Sequence, residues 1–241
     1  MAFGKHWLIG APRAFDGRGA VFDESGRVLL EGDEGENLGG KPTVHGAGFA
    51  VLKRGGVVST LGDDWTVGRR LWQLCSGDFD GDGKPALVAG VAGGGLSVGG
   101  VDIASPNEMG DFGYALAACD LDGDGDDDLV VGAPGRGKVY LYLTDDLQEL
   151  LSAKRVLEVG HRGGEALACW SGQLAVGAPG GAGRVWWFDD PLDGEAELVV
   201  EGDDSLAAMG SALGVREDNG ALTMAVGAPG AGRVLLLSQV R

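Results

Sequence analysis

Residues 111–143 read D-F-G-Y-A-L-A-A-C-D-L-D-G-D-G-D-D-D-L-V-V-G-A-P-G-R-G-K-V-Y-L-Y-L, and three strands can be placed in them directly. The first spans Phe112 to Cys119, the second Leu129 to Gly132 and the third Lys138 to Leu143. Each is a short apolar run bounded by Gly- or Asp-rich turns, the pattern of antiparallel hairpins. A fourth strand is expected near Ser152 to Val159. The V-G-A-P-G cassette at Val131 to Gly135 returns at Val176 to Gly180 and Val226 to Gly230, with a close copy at Ile9 to Pro12 and a weaker one at Ala89 to Gly93.

Self-similarity at a fixed period is the signature of a repeat architecture. The leading glycines Gly90, Gly132, Gly177 and Gly227 are 42, 45 and 50 positions apart, whereas Gly10 and Gly90 are 80 apart. A degraded copy therefore belongs between the last two, and Phe49 to Leu61 fits as two strands around the Gly55–Gly56 turn. Six repeats result. Strands such as V-Y-L-Y-L and V-W-W-F are apolar on both faces, yet tight hairpins make them antiparallel, and antiparallel sheets usually leave one face wet. A β-propeller removes the conflict, because each blade packs between two neighbours. The expectation is an all-β single domain over residues 1–241: a six-bladed propeller, with seven blades as the alternative. Its first and last blades are expected to be incomplete, because Met1 to Phe3 supply only a stub of a first strand and nothing after Arg241 supplies a last one.

The composition narrows the chemistry. Glycine at 47 of 241 residues without a Gly-X-Y period excludes collagen and implies frequent sharp turns. A net charge of −17 argues against nucleic acid, which needs clustered Lys and Arg to displace counterions. No signal segment or long apolar run is visible, so membrane insertion is not expected. Cys75, Cys119 and Cys169 have no zinc spacing and cannot all pair, so free buried thiols are expected.

The acid is concentrated in one turn. Asp120, Asp122, Asp124, Asp126, Asp127 and Asp128 place six carboxylates within nine residues, a repulsion that a bound cation would relieve. Asp120, Asp122, Asp124 and Asp128 stand at positions 1, 3, 5 and 9 of this loop, with Gly125 at the sharp turn and Asp126 offering its carbonyl at position 7. Such an all-oxygen set suits calcium, a hard ion that takes six to eight oxygens. The loop is not an EF-hand, since Val131 stands at position 12 and strands flank it. A second copy, D-F-D-G-D-G-K-P-A, puts Asp78, Asp80 and Asp82 at positions 1, 3 and 5 and Lys84 at position 7, but Ala86 replaces the closing carboxylate. The site at 78–86 is expected to be weak or vacant.

At Phe112–Gly113 and Gly132–Pro134 the sequence resembles the FG-GAP repeats of integrin α-chain propellers. The resemblance is strong from about Arg69 onward and weak over Gly39 to Gly68. It implies calcium in the loops joining first and second strands, an extracellular or cell-surface location, and a non-enzymatic recognition or adhesion scaffold. The protein or glycan ligand would lie on the face opposite the calcium loops, where the candidate contact residues are Trp65, Arg69, Arg70, Asn107, Glu108, His161, Arg162, Asp203 and Asp204. FG-GAP repeats also resemble modules that accompany secreted hydrolases and lyases, which is the alternative role.

Other motifs compete poorly. Gly132 to Val139 nearly spells a phosphate-binding loop, but Val139 lacks the magnesium-binding hydroxyl and a strand follows where a helix is required. Gly95 to Gly99 spells a nucleophile elbow around Ser97 with no readable helix after it. His6, His45 and His161 form no metal spacing or triad and are expected at surface or edge positions. Lys138, Arg184 and Arg233 recur after the A-P-G turns, where packing of the turn outweighs an anion-binding arc.

Overall fold

A computed structural model describes residues 8–23, 25–38, 40–54, 56–59, 65–66, 68–103, 110–143, 153–203, 207–218 and 221–238. Among these residues the chain forms six antiparallel sheets in sequence order, with one short helical turn at Ala14–Gly17 and a 3-10 turn at Pro229–Ala231. The first sheet contains β1 (Ile9–Ala11), β2 (Ala20–Phe22) and β3 (Val28–Glu31). The second contains β4 (Gly40–His45), β5 (Gly48–Lys53), β6 (Gly56–Ser59) and β7 (Trp65–Thr66), which places the degraded repeat where the spacing put it. The third is β8 (Leu71–Gly77), β9 (Ala86–Val91), β10 (Leu96–Val98) and β11 (Val101–Ile103). The fourth is β12 (Ala115–Cys119), β13 (Asp128–Ala133), β14 (Lys138–Tyr142) and β15 (Arg155–Glu158). The fifth is β16 (Ala166–Trp170), β17 (Gln173–Ala178), β18 (Arg184–Phe188) and β19 (Leu198–Glu201). The sixth is β20 (Ala212–Asp218), β21 (Ala221–Ala228) and β22 (Arg233–Ser238).

Each four-stranded sheet is a meander of consecutive strands, and the first strands of neighbouring sheets pack side by side: β4 on β8, β8 on β12, β12 on β16 and β16 on β20. The two-sided apolar strands are explained by this stacking. All six residues of β13 are buried, because one face meets the third sheet and the other the fifth. On one side Leu129 and Val131 join Cys75, Val88 and Leu96; on the other Val130 joins Leu174 and Val176. Full burial of such side chains stabilises by about 1.5–3 kcal/mol each, so the core lies between sheets rather than under one.

Two sequence expectations are corrected here. Cys119 and Cys169 form a disulfide with Cα atoms 6.3 Å apart, and only Cys75 is free. The pair comes together because both cysteines lie near the loop ends of β12 and β16, first strands of adjacent sheets. Cys75 is buried, and burial pushes its thiol well above the ordinary range, reinforced by the Asp127 carboxylate. Thiol titration should therefore find no reactive thiol in the native protein and one, not three, after denaturation without reductant. His45, expected at a surface or edge position, does end the edge strand β4 but is buried there rather than exposed, with Nδ1 2.9 Å from the Ser76 hydroxyl.

The competing motifs resolve as strand and turn. Ser97 is buried in the middle of β10, between β9 and β11, rather than raised on an elbow. Gly132 to Val139 runs from β13 through a turn into β14. Lys138 and Arg184 pair with Glu158 and Glu201 of their own sheets at 3.6 and 2.9 Å, as expected of turn packing.

Candidate metal centre and the opposite face

The loop from β12 to β13 holds its aspartates by turn geometry. Asp120 accepts the N–H groups of Gly123 and Gly125 at 2.6 and 3.2 Å, Asp122 accepts that of Asp124 at 3.2 Å, and Asp124 accepts that of Asp126 at 2.9 Å. Gly125 has φ +102°, a left-handed conformation that only glycine adopts without strain. The result is one oxygen from each of Asp120, Asp122 and Asp124 within 4.8 Å of the others. Asp128 is buried at the start of β13, where its Oδ2 accepts the Leu121 N–H at 2.7 Å and closes the loop from below.

The loop from β8 to β9 repeats the arrangement with Asp78, Asp80 and Asp82, again within 4.8 Å. Here Asp78 Oδ2 accepts the Gly83 N–H at 2.9 Å, while Oδ1 is buried without a hydrogen-bond partner. A buried carboxylate oxygen without a partner is costly unless a cation joins it. Register confirms the alignment of the two loops: Asp128 pairs with Cys119 and Ala86 with Gly77, each opposite the last strand residue before its loop. Lys84 supplies a charge of its own, its Nζ donating to Asp82 Oδ2 at 2.8 Å. That bond holds Asp82 below the usual carboxylate range and raises Lys84 in turn.

Asp127 is the residue that sequence reasoning missed. Counted only as charge, it joins the two loops: its Oδ2 accepts the Asp78 N–H at 2.9 Å and its own N–H donates to the Asp78 carbonyl at 2.7 Å. Asp126 also leans across, so that a side chain at Gly81 would collide with its carboxylate. No local signal distinguishes Asp127 from its neighbours, since the contact spans 49 residues.

The proposed ligand residues enter from the other end of the strands, in the connections that lead into β8, β16 and β20. Trp65 is half-buried at the end of the second sheet, with its Nε1 buried and unpartnered. Arg69 pairs with Asp102 at 2.7 Å and Arg162 with Glu165 at 2.6 Å; Arg70, His161 and Asp203 are exposed. Beside His161 lies a depression lined by Gly180, Gly183, Arg184 and Glu201. Asn107, Glu108 and Asp204 lie outside the described residues.

No curated protein sequence matches the chain. Among solved structures, the computationally designed Ika8 protein is similar with 17% identity and a TM-score of 0.57 over 96% of this chain and 70% of that one. The BBS1N chain in complex with ARL6DN is similar with 13% identity and a TM-score of 0.57 over 91% of this chain and 73% of that one. At these identities the likeness is one of fold. The family model for the FG-GAP repeat matches residues 112–142, which run from the phenylalanine before β12 to the end of β14. Residues 112–142, which carry the Asp120–Asp128 loop and the first three strands of its sheet, thus match the FG-GAP repeat.

Proposed function

We propose that the protein is a calcium-binding, β-propeller-like recognition scaffold without catalytic activity of its own. The observation that carries this reading is the recurrence of an aspartate trio at the same place on consecutive sheets, with Asp78 Oδ1 buried and unpartnered in one of them. The donor set is all oxygen, which favours a hard cation, and the loops are long enough for the six to eight ligands that calcium prefers. Asp120, Asp122 and Asp124 would hold the ion, with the Asp126 carbonyl and Asp128 completing the shell. At 78–86 the site is weaker, because Ala86 has no carboxylate and Lys84 already neutralises Asp82.

With calcium holding one end of the sheets, the other end is free to recognise a partner through Trp65, Arg69, Arg70, Asn107, Glu108, His161, Arg162, Asp203 and Asp204, since loops on a rigid scaffold usually carry recognition. A protein or glycan is the partner class. The Cys119–Cys169 bridge supports an oxidising, extracellular or cell-surface setting, where disulfides persist. No described helix is long and apolar enough to cross a membrane.

Calcium at a hundredfold excess over its dissociation constant should stabilise the fold by about 2.7 kcal/mol. Titration calorimetry should resolve one tight and one weaker site, and melts in calcium should exceed those in EDTA. Asp124→Ala should remove most of the difference. Identical melts with no heat of binding would overturn the reading.

A further inference from the structure

The two acidic loops meet across the seam between the third and fourth sheets. β8 and β12 pack side by side, and the loops that follow them leave the same end of adjacent sheets. A Cβ on Gly77, the last residue of β8, would come within 2.8 Å of the Ala118 Cβ and 3.0 Å of the Asp127 Cβ. Phe79, the second residue of the 78–86 loop, is 2% exposed and packs with Leu116 and Leu129 of the fourth sheet. A Cβ on Gly81 would overlap the Asp126 carboxylate. The 78–86 loop is therefore seated on the sheet that carries its neighbour.

One peptide group links the ligands of the two loops. The Asp127 N–H donates to the Asp78 carbonyl at 2.7 Å, and the Asp78 N–H donates to Asp127 Oδ2 at 2.9 Å. The Asp127 N–H shares its peptide unit with the Asp126 carbonyl, the group that would help complete the shell at 120–128. That unit is trans and planar, so the carbonyl points away from Asp78 while the N–H points at it. An ion that draws on the Asp126 carbonyl fixes the plane that holds the Asp78 backbone, and it polarises the N–H that bonds there. Asp78 is in turn the first ligand of the 78–86 loop, and its Oδ1 is buried without a hydrogen-bond partner.

Resting on the calcium reading above, we propose that the two loops bind calcium as a coupled pair. An ion at 120–128 raises the affinity at 78–86, and Asp127 is the positioning residue that transmits the effect. The order of filling follows from the ligands, since 120–128 has Asp128 where 78–86 has Ala86. The first ion bears the cost of ordering the seam, and the second meets a backbone already fixed. Repulsion between two dications opposes the coupling, and the Asp127 carboxylate at the seam offsets part of it.

Calcium chloride alone is titrated by calorimetry onto the parent and onto Asp124→Ala, Asp127→Ala and Asp127→Asn, with melts to show that each is folded. Two sites are expected in the parent. In Asp124→Ala the first site is disabled, and affinity at 78–86 should fall about tenfold. Charge alone predicts the reverse, because the empty variant loop carries five carboxylates, whereas the filled parent loop carries six and a dication. Asp127→Ala should leave the tight site within about threefold of the parent and weaken the 78–86 site about tenfold. Asp127→Asn keeps an acceptor for the Asp78 N–H and should recover most of that loss, which a pure charge effect would not allow. Should Asp127→Ala fail to fold, the comparison of Asp124→Ala with the parent decides alone. A single site in the parent, an unchanged or higher 78–86 affinity in Asp124→Ala, or equal losses in Asp127→Ala and Asp127→Asn would each overturn the coupling and leave calcium at 120–128 intact. A parent with neither heat of binding nor a calcium-dependent melt would instead remove the calcium reading itself.

Discussion

Reduction of the Cys119–Cys169 bridge is expected to lower the unfolding free energy by about 4 kcal/mol, the chain-entropy value for the 50-residue separation. The bond ties the first strands of two adjacent sheets at their loop ends, so the unfolded chain regains a long loop when it is cut. Denaturant unfolding of the oxidised and reduced protein, and of a Cys119→Ser/Cys169→Ser double variant, measures the difference. Cys75→Ser separates the bridge from general thiol effects, because Cys75 is a lone buried thiol. Equal midpoints for the oxidised and reduced forms would show that the bridge contributes nothing.

Trp187→Ala should cost about 3–5 kcal/mol, the range for truncating a large buried aromatic side chain. Trp187 is 1% exposed between the fifth and sixth sheets, against Met224 and Val226, and its Nε1 donates to Asp189 Oδ1 at 2.8 Å. The same Asp189 oxygen accepts from Gln173 Nε2 at 2.6 Å, so Trp187→Phe, which keeps most of the packing, isolates the hydrogen bond. Leu236→Ala is the matched control at the equivalent position of the sixth sheet and should change stability by less than about 0.5 kcal/mol. Urea midpoints of the three variants decide the matter. A large loss in Leu236→Ala would mean that its face is covered in solution.

The repeat was legible because its glycines recur at fixed places in each copy. Gly113, Gly164 and Gly210 take a left-handed φ that demands glycine, and Gly132, Gly177 and Gly227 mark the cassette strands by spacing alone. The aspartate register was legible for a similar reason: side chains two positions apart in a tight loop point to one side, and the trios Asp78, Asp80, Asp82 and Asp120, Asp122, Asp124 converge as the spacing implies. Apolar residues on both faces of β14 and β18 foretold burial on both sides.

What the sequence by itself determined about this protein is therefore each sheet, its turns and its acidic loop, all set by interactions within a single repeat. Only the tertiary structure decided how one repeat meets the next. The Cys119–Cys169 pairing, the burial of His45 against Ser76 and the bond from Asp127 to Asp78 join residues 50, 31 and 49 positions apart. The open face of the sixth sheet is of the same kind: Val234 and Leu236 have the identity of core residues, and whether they are core depends on a neighbouring sheet that their own repeat does not encode. Periodicity records which face of a strand is apolar, but contact across a seam is settled by the packing of whole sheets.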